Sequence, residues 1–305
     1  MSDDQKAAEV VVSVPPRPGA ALDARRHAFR PDLAAQSLYG RVNAPRYVPG
    51  EPRQIARPAV PLRRRAHPSA PFETEALLGE MVTLYDAQEG WAWVQLDRDQ
   101  YVGYVPADAL SAQIVPPTHR VKTVGTFVYP APDFKSPPLM HLSLNAAVSV
   151  IDTADRMFRL STGGYVIQRH LAEKGKFARD FVEIAEQLIG TPYLWGGRTR
   201  IGLDCSGLVQ IALEAAGIPC PRDSDMQQAE LGGNVLIPDS LEGLERGDLV
   251  FWRGHVGIMS DGVMMVHANA HHMAVVVEPL PEAVERIART GLELSSIKRL
   301  PGLCV

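Results

Sequence analysis

One cysteine and two histidines in the last third of the chain are the residues whose types and surroundings best suit catalysis. Cys205 follows a polar, glycine-containing loop and begins a predicted helix with Asp204 at its N-cap. The positive end of a helix dipole lowers the pKa of a thiol and favours the thiolate, the form that attacks a carbonyl. A free cysteine is otherwise most often a small buried apolar residue, which suits Cys220 and Cys304 better. We therefore predict that Cys205 is a nucleophile.

A nucleophilic cysteine needs a base within hydrogen-bond reach, and the base needs a third group that fixes its tautomer. His255 begins one arm of a predicted hairpin and His267 ends the other. A single histidine would more often be a buried core residue, but the pair together with Cys205 favours catalysis. A zinc site formed by His267, His271, His272 and a cysteine is a rival interpretation, although no CxxC or HxxxH pattern accompanies them. We predict His255 as the base, His267 as the residue that orients it, and no metal or cofactor.

The loop of this hairpin decides whether the two histidines share a face of the sheet. If the loop is Ser260–Gly262, Met259 pairs with Val263 and the histidines lie directly opposite one another. A two-residue Asp-Gly loop would place them on opposite faces. The triad hypothesis therefore predicts the three-residue loop, with Gly262 in the left-handed conformation.

The region around these residues has a pattern that predicts helices followed by a sheet. Apolar residues three and four apart predict one helix within 177–189 and a second from about Cys205 to Ala216. Helices first and strands second indicate an α+β domain, which we assign to residues 173–305. The predicted strands are Leu249–Trp252, Val256–Met259, Val263–His267 and Ala274–Val277.

Before residue 173 the sequence predicts two small β-barrels, at 71–115 and 116–172, with Trp93 and Tyr104 in the core of the first. The segments GYVPADAL at 103–110 and GYVIQRHL at 164–171 close the two copies. The predicted strands are Glu80–Tyr85, Trp91–Leu96 and Tyr101–Val105 in the first copy, and Ala147–Ile151, Met157–Leu160 and Gly164–Ile167 in the second.

Residues 1–70 are rich in proline and arginine, which predicts an extended arm with one short helix around Leu33 to Leu38. Three consecutive arginines, 63–65, suit a solvated linker better than a contact with RNA. The short apolar run Val10–Val12 precedes two prolines, so we expect neither a signal peptide nor a membrane anchor.

The composition is that of a globular protein, with 305 residues of which 46% are hydrophobic and 22% charged. A formal net charge of −4 argues against a general nucleic-acid binder, because neutralising phosphates needs a basic face. The three cysteines, an odd number, suit a reducing compartment. We therefore expect a cytoplasmic protein.

Taken together, the motifs resemble those of the NlpC family of cell-wall cysteine peptidases, a papain-like group. The matching residues are the YLWGG run from Tyr193, DCSG from Asp204, GDLVFW from Gly247, HVGI from His255 and HA from His267. They extend over roughly residues 175–280. The GWAWV segment and the GYVPxxxL ending of the preceding region resemble bacterial SH3 domains.

This resemblance implies a substrate. Family members with N-terminal SH3 domains look like endopeptidases that cut γ-D-glutamyl to diamino-acid bonds in muropeptides, and forms without a signal peptide trim peptides with a free N-terminal L-alanine. By resemblance, Asp204 pairs with that ammonium group, Ser206 and Ser224 bind the peptide backbone, and Tyr193 covers the site. An aromatic residue of the first SH3 unit closes the pocket, for which we favour Tyr101.

Other interpretations of the site and of the function remain open at this stage. Asp204 also suits a purely structural role as helix cap, and Ser224 one in stabilising its own loop. The catalytic residues also suit a papain-like amidase or acyltransferase that acts on another acyl group. A binding module with a degraded peptidase domain, holding wall fragments, is the alternative without catalysis.

Overall fold

The computed structural model describes residues 22–236 and 240–301 of the chain. The run Val10–Val12 and Cys304 lie outside the described residues. The described part contains an arm, two successive groups of strands, and a C-terminal domain with helices and a six-stranded sheet. None of the helices within these two ranges has the length and apolar character needed to cross a lipid bilayer.

The arm begins the described chain with three short strands. β1 (Phe29–Arg30) pairs antiparallel with β2 (Leu33–Ala35), and β2 pairs in parallel with β3 (Tyr47–Val48). A single 3-10 turn spans Gln36–Leu38. The helix predicted around Leu33 to Leu38 is therefore wrong, because the first half of this segment gains backbone hydrogen bonds on both edges, whereas a helix this short is costly to nucleate.

The region predicted as the first barrel, for which we keep that name, is a seven-stranded sheet with strand order β10-β4-β7-β8-β9-β5-β6. Alternate residues point inward, and Val60, Leu62, Val82 and Val94 are among those fully buried in its core. The strands are β4 (Glu51–Ile55), β5 (Ala59–Arg63), β6 (Phe72–Leu77), β7 (Met81–Gln88), β8 (Trp91–Leu96), β9 (Val102–Pro106) and β10 (Leu110–Ser111).

The strand pairing differs from the predicted boundary at residue 71. β4 and β5 lie inside the segment predicted as an arm, yet they pair with β7 and β6 respectively. Their prolines, Pro52 and Pro61, hid them in the sequence. Both occupy positions that pair with a single neighbouring strand, where a missing N–H is tolerated.

The arm covers the outer face of this barrel. Leu33 and Leu38 share an apolar cluster with Trp93, and the guanidinium of Arg30 lies 4.8 Å from the centre of the Trp93 ring. The Tyr104 hydroxyl accepts a hydrogen bond from Arg30 at 3.2 Å. Trp93 and Tyr104 therefore do not fill the barrel core as predicted, because their neighbours along each strand point inward and they point toward the arm.

A second group of strands forms three small sheets around a core of its own that includes Val121, Val128, Leu142 and Val166. Leu77 and Leu78 of the first barrel also pack into this core. The strands are β11 (His119–Val121), β12 (Gly125–Val128), β13 (Met140–Ser143), β14 (Ala147–Val148), β15 (Val150–Ala154), β16 (Met157–Leu160), β17 (Tyr165–Ile167) and β18 (Leu171–Glu173).

The C-terminal domain has the predicted order of helices before sheet, and its sheet order is β21-β26-β22-β23-β24-β25. Its helices are α1 (Phe181–Glu186), α2 (Cys205–Ala215), α3 (Ser224–Glu230) and α4 (Leu280–Ala288). Its strands are β19 (Arg198–Thr199), β20 (Gly202–Leu203), β21 (Gly233–Val235), β22 (Leu249–Trp252), β23 (His255–Met259), β24 (Met264–Asn269), β25 (Ala274–Pro279) and β26 (Leu294–Arg299).

The apolar stripe of α2 packs against the sheet. Leu208 and Ile211 share one core with Val256, Ile258 and Val266, all of them fully buried. Burying one such side chain stabilises the folded state by roughly 1.5–3 kcal/mol relative to leaving it exposed. The N-terminus of α2 is thereby fixed beside the start of β23.

The hairpin of β23 and β24 has a different register from the predicted one. Met259 pairs with Met265 and not with Val263. The N–H of Ser260 donates to the Met264 carbonyl at 2.7 Å, and the Asp261 carboxylate accepts from the N–H groups of the two following non-glycine residues, at 2.7 Å each.

The φ angle of Gly262 is not positive, so the predicted left-handed conformation is wrong. The turn is stabilised instead by the hydrogen bonds to the Asp261 carboxylate. The register differs from the prediction by two residues, which preserves the parity of facing positions. His255 and His267 therefore share a face as predicted, but they are diagonal neighbours. The register places His267 opposite Gly257, where an added Cβ would lie 3.3 Å from the Cβ of His267.

Buried polar contacts join the first barrel to α2. Arg198, which is 1% exposed, donates from Nη1 to Glu80 at 2.9 Å and from its backbone N–H to Glu75 at 2.7 Å. Gln210 of α2 donates to Asp99 of the barrel at 2.9 Å. Buried charges of this kind are tolerated only when each finds its partner, so these contacts fix how the barrel sits on the domain.

Candidate active site

Cys205 is the first residue of α2 and is 7% exposed. Asp204 caps the helix, because its Oδ1 accepts from the N–H of Gly207 at 2.7 Å. Burial, followed by the charge of Asp204, raises the pKa of the Cys205 thiol to about 12, although the N–H of Val256 and the charge of Arg222 act in the opposite direction. Burial and the charge of Asp204 therefore act against the acidic thiol that the helix position predicts.

The two histidines lie in contact with each other on the sheet that packs against α2. The His255 Nε2 and His267 Nδ1 atoms are 2.8 Å apart, and the rings meet edge to face with centroids 5.1 Å apart. Val256, whose N–H lowers the thiol pKa, is the residue after His255, so the start of β23 lies near Cys205. Burial and the neighbouring His267 lower the pKa of His255 to about 3. Burial therefore favours the neutral thiol at Cys205 and the neutral imidazole at His255.

His267 is fully buried and has a second set of contacts that the sequence analysis missed. Its Nε2 lies 2.6 Å from Glu278 Oε1 and 2.9 Å from the amide nitrogen of Asn269, and Glu278 is also paired with Arg286. The spacing of residues along β24 and β25 could have revealed these two contacts. Asn269 stands two residues after His267, and Glu278 stands two residues after Val276, which pairs with His267, so both share its face.

A buried arginine forms hydrogen bonds to the side chains of the two residues that flank Cys205. Arg222 is 1% exposed and donates to Asp204 at 2.6 Å and to Ser206 at 2.7 Å. It also donates to Thr74 of the first barrel at 2.9 Å. Asp204 and Ser206 are thus adjacent to the thiol, as predicted, but both already have partners within the protein.

Tyr101 does not lie in an exposed position from which it could fold over the pocket. Its ring is 2% exposed within the barrel core, and only its hydroxyl reaches the C-terminal domain, where it donates to Asp223 at 3.0 Å. Arg25 of the arm donates to the same carboxylate oxygen at 2.8 Å. Burial raises the pKa of Asp223 above its ordinary value. The sequence did not predict that the Asp223 carboxylate joins the arm, the first barrel and the C-terminal domain.

Tyr193 and Ser224 are the remaining predicted substrate residues. Tyr193 packs, half-buried, against the core that contains Cys205, and burial followed by the charges of Cys205 and Asp204 raises the pKa of its phenol. Its hydroxyl therefore lies near the thiol. Ser224 begins α3, directly after Asp223.

The zinc interpretation finds no support in these positions. Across residues 22–236 and 240–301, no three His, Cys, Asp or Glu side chains are grouped so that they could hold a metal ion. His271 and His272 stack edge to face with centroids 4.7 Å apart, and His272 is bonded to Asn269.

Two families match this chain. Residues 62–110 match the bacterial dipeptidyl-peptidase Sh3 domain, and residues 190–286 match the NlpC/P60 family. The first match begins within β5, in agreement with the strand pairing rather than with the boundary predicted at residue 71.

Known proteins resemble the chain over different spans. Dipeptidyl-peptidase 6 of Lysinibacillus sphaericus is 33% identical over 116 residues, which cover 38% of this chain and 41% of that protein. The gamma-D-glutamyl-L-lysine dipeptidyl-peptidase of Bacillus cereus is 26% identical over 255 residues, covering 71% of this chain and 74% of that protein. The crystal structure of an NlpC/P60 family protein from Bacillus cereus has the same fold, with a TM-score of 0.67 at 21% identity over 82% of this chain and 99% of that one.

The fold and the matches together define a cysteine-type peptidase. The C-terminal domain matches the NlpC/P60 family over residues 190–286, and a match to a bacterial Sh3 domain, over residues 62–110, precedes it.

Proposed function

We propose that this peptidase hydrolyses γ-D-glutamyl to diamino-acid bonds in small peptides derived from peptidoglycan, with Cys205 as nucleophile, His255 as base and His267 as the residue that orients the base. The observation that carries the proposal is the contact of His255 with His267 on the strand whose next residue, Val256, directs its N–H at the Cys205 thiol. The relationship to a protein named gamma-D-glutamyl-L-lysine dipeptidyl-peptidase supports the choice of bond.

The proposed reaction uses one proton carrier twice. His255 takes the proton of Cys205 as the sulfur attacks the γ-glutamyl carbonyl, and it then protonates the leaving amine. Water activated by the same histidine hydrolyses the acyl-enzyme. The Cys205 N–H, in the first turn of α2 where no intrahelical acceptor exists, serves as an oxyanion donor, a role whose loss costs on the order of 3 kcal/mol in the transition state.

The position of the first barrel favours a short peptide as substrate. Thr74 bonds to Arg222 and the Tyr101 hydroxyl bonds to Asp223, so the barrel wall stands next to the residues that flank Cys205. We propose that this wall limits the length of the peptide that can bind. The charges of Asp223 and Glu73 both raise the pKa of Tyr101, which indicates that two carboxylates lie near its hydroxyl. Each of these carboxylates also has an arginine partner, Arg25 for Asp223 and Arg64 for Glu73. We propose that the free ammonium group of an N-terminal L-alanine binds at this pair of carboxylates, and that Ser224, Ser206 and Tyr193 contact the peptide.

We further propose that the enzyme acts in the cytoplasm, on peptides recovered from the wall. Cys205 and Cys220 are free buried thiols, which suits a reducing compartment.

Mass spectrometry of the products from three substrates tests the proposal. L-Ala-γ-D-Glu-diaminopimelate is expected to release the dipeptide L-Ala-D-Glu, the N-acetylated tripeptide to react at least tenfold more slowly, and intact peptidoglycan to remain uncut. Cys205→Ala and His255→Ala are expected to be inactive, with Cys220→Ala as the matched thiol control that retains activity. Cleavage by Cys205→Ala would contradict the mechanism. Turnover of a different acyl substrate alone would favour an amidase or acyltransferase, and no thiol alkylation at Cys205 would favour a binding module.

A further inference from the structure

We propose that Glu278, held by Arg286, is a positioning residue that selects the tautomer of His267 and, through it, the tautomer in which His255 can accept a proton. The inference rests on the proposed roles of Cys205 and His255. It adds a carboxylate and a guanidinium to the chain of groups behind the base.

The contacts form one continuous line. His255 Nε2 lies 2.8 Å from His267 Nδ1, and His267 Nε2 lies 2.6 Å from Glu278 Oε1. The Glu278 carboxylate is then paired with Arg286 of α4. Its side chain is 12% exposed and that of His267 is 0% exposed, so water has little access to the bond between them.

Two hydrogen-bond patterns are compatible with these positions, and only one serves catalysis. If His267 carries its proton on Nε2, it donates to Glu278 and accepts from His255 Nε2 at its own Nδ1. His255 then has a free lone pair on Nδ1, which is the nitrogen left to accept the thiol proton. The resting site is in this case ready for proton transfer.

The second pattern begins at Asn269. Its amide nitrogen lies 2.9 Å from His267 Nε2 and donates there if that nitrogen is unprotonated. His267 would then donate from Nδ1 to His255 Nε2, and the proton of His255 would sit on Nδ1. In this tautomer His255 has no lone pair for Cys205. Asn269 is held in position for this pattern, because its Oδ1 accepts from the N–H of His272 at 2.8 Å.

Glu278 decides between the two patterns by its charge. A carboxylate oxygen 2.6 Å from an unprotonated nitrogen would bring two lone pairs together, which is repulsive, whereas a protonated Nε2 gives a short charge-assisted hydrogen bond. Burial acts to raise the pKa of Glu278, but the hydrogen bond with His267 and the charge of Arg286 outweigh it and hold this pKa below its ordinary value. The other charged or titratable groups that face His267 are His255 and His272.

The same contact helps after the proton has moved. When His255 becomes an imidazolium it still donates from Nε2 to His267, and the negative charge of Glu278 lies one ring behind it. The pair Glu278–Arg286 is therefore placed to fix the geometry before the reaction and to stabilise positive charge during it.

Substitutions of Glu278 and Arg286 test the inference. Glu278→Met removes the acceptor at similar size, and Arg286→Met removes its holder. Arg289→Met is the matched control, because Arg289 makes an exposed pair with Glu285 near the end of the same helix. We expect Glu278→Met to lower kcat on the order of 10- to 100-fold with little change in KM, Arg286→Met to lower it less, and the control to leave it unchanged. The activity of Glu278→Ala should be partly rescued by formate, which a merely structural role would not allow.

The ring tautomers give a readout that needs no substrate. Nitrogen-15 NMR of the resting enzyme should show His267 protonated on Nε2 in the wild type and on Nδ1 in Glu278→Met. Alkylation of Cys205 by iodoacetamide at neutral pH should slow in parallel. Unchanged tautomers and an unchanged alkylation rate in a folded Glu278→Met would overturn the inference; if that variant does not fold, the same result in Glu278→Ala, which also lacks the acceptor, would overturn it. A wild-type enzyme that cuts no γ-D-glutamyl peptide would refute the proposed function alone, because the tautomers and the alkylation rate are measured without it.

Discussion

Replacing Arg222 by methionine should destabilise the protein and slow the alkylation of Cys205 by iodoacetamide. The guanidinium is 1% exposed and joins Asp204, Ser206 and the first barrel, at Thr74. Without it, Asp204 remains a buried carboxylate with no neutralising partner. The charge of Arg222 also lowers the pKa of Cys205, so its loss should raise that pKa and reduce the reactive fraction further.

The size of the effect follows from the contacts that remain. Removing one partner of a buried ion pair costs about 3–5 kcal/mol. Asp204 keeps two backbone donors, the N–H groups of Gly196 at 2.8 Å and Gly207 at 2.7 Å, so we expect the lower end of this range. With a urea dependence of about 3 kcal/mol per molar, the unfolding midpoint should fall by about 1 M.

Urea unfolding followed by tryptophan fluorescence measures this change, with iodoacetamide alkylation of Cys205 in the same samples. The double variant Arg222→Met with Asp204→Asn should recover part of the loss, because it leaves no unpaired charge. If the free energy of unfolding of Arg222→Met fell by less than about 1 kcal/mol, the assignment of Arg222 and Asp204 as a buried, functional ion pair would be refuted. A double variant that is no more stable than the single one would refute it as well.

Three further predictions concern the arm and the pH. Arg25→Met should raise KM about fivefold with little change in kcat, because Asp223 loses the cation that holds it at the substrate end; steady-state kinetics measure this, with the exposed Arg53→Met as control, and a change confined to kcat would argue against it. Trp93→Ala should expose the arm to limited proteolysis within residues 22–48 while the barrel stays folded, and an unchanged digest would show that the arm is held elsewhere. The stability contributed by the neutral His255 should be complete above about pH 6.5 and be lost as the pH falls toward about 3, since its folded pKa is about 3 and the unfolded state binds the proton first; the urea midpoint of the wild type should fall over this range by more than that of His255→Gln.

Local patterns were sufficient to propose which residues are catalytic. Cys205 at the start of a helix, with an acidic cap before it, follows from the spacing of apolar residues and the capping residue alone. The shared face of His255 and His267 was predicted through an incorrect register, because a shift by two residues leaves the parity of a strand unchanged.

Contacts between distant segments were beyond such patterns. Arg222 and Thr74 are separated by 148 residues and Tyr101 and Asp223 by 122, so no short-range periodicity brings them together. The strands β4 and β5 were assigned to the arm because prolines mask their pattern, and only their pairing partners reveal them. The burial of Trp93 depends likewise on the arm, which packs on it from outside the barrel.

The sequence by itself thus determined which side chains we propose to react, since helix capping and strand alternation act within a few residues. The tertiary structure alone decided the electrostatic surroundings of those side chains. Burial beside Asp204 raises the pKa of Cys205, and Glu278 lies within hydrogen-bond distance of His267. A pKa depends on every charge and every loss of water around a group, and these come from segments that meet only when the chain has folded.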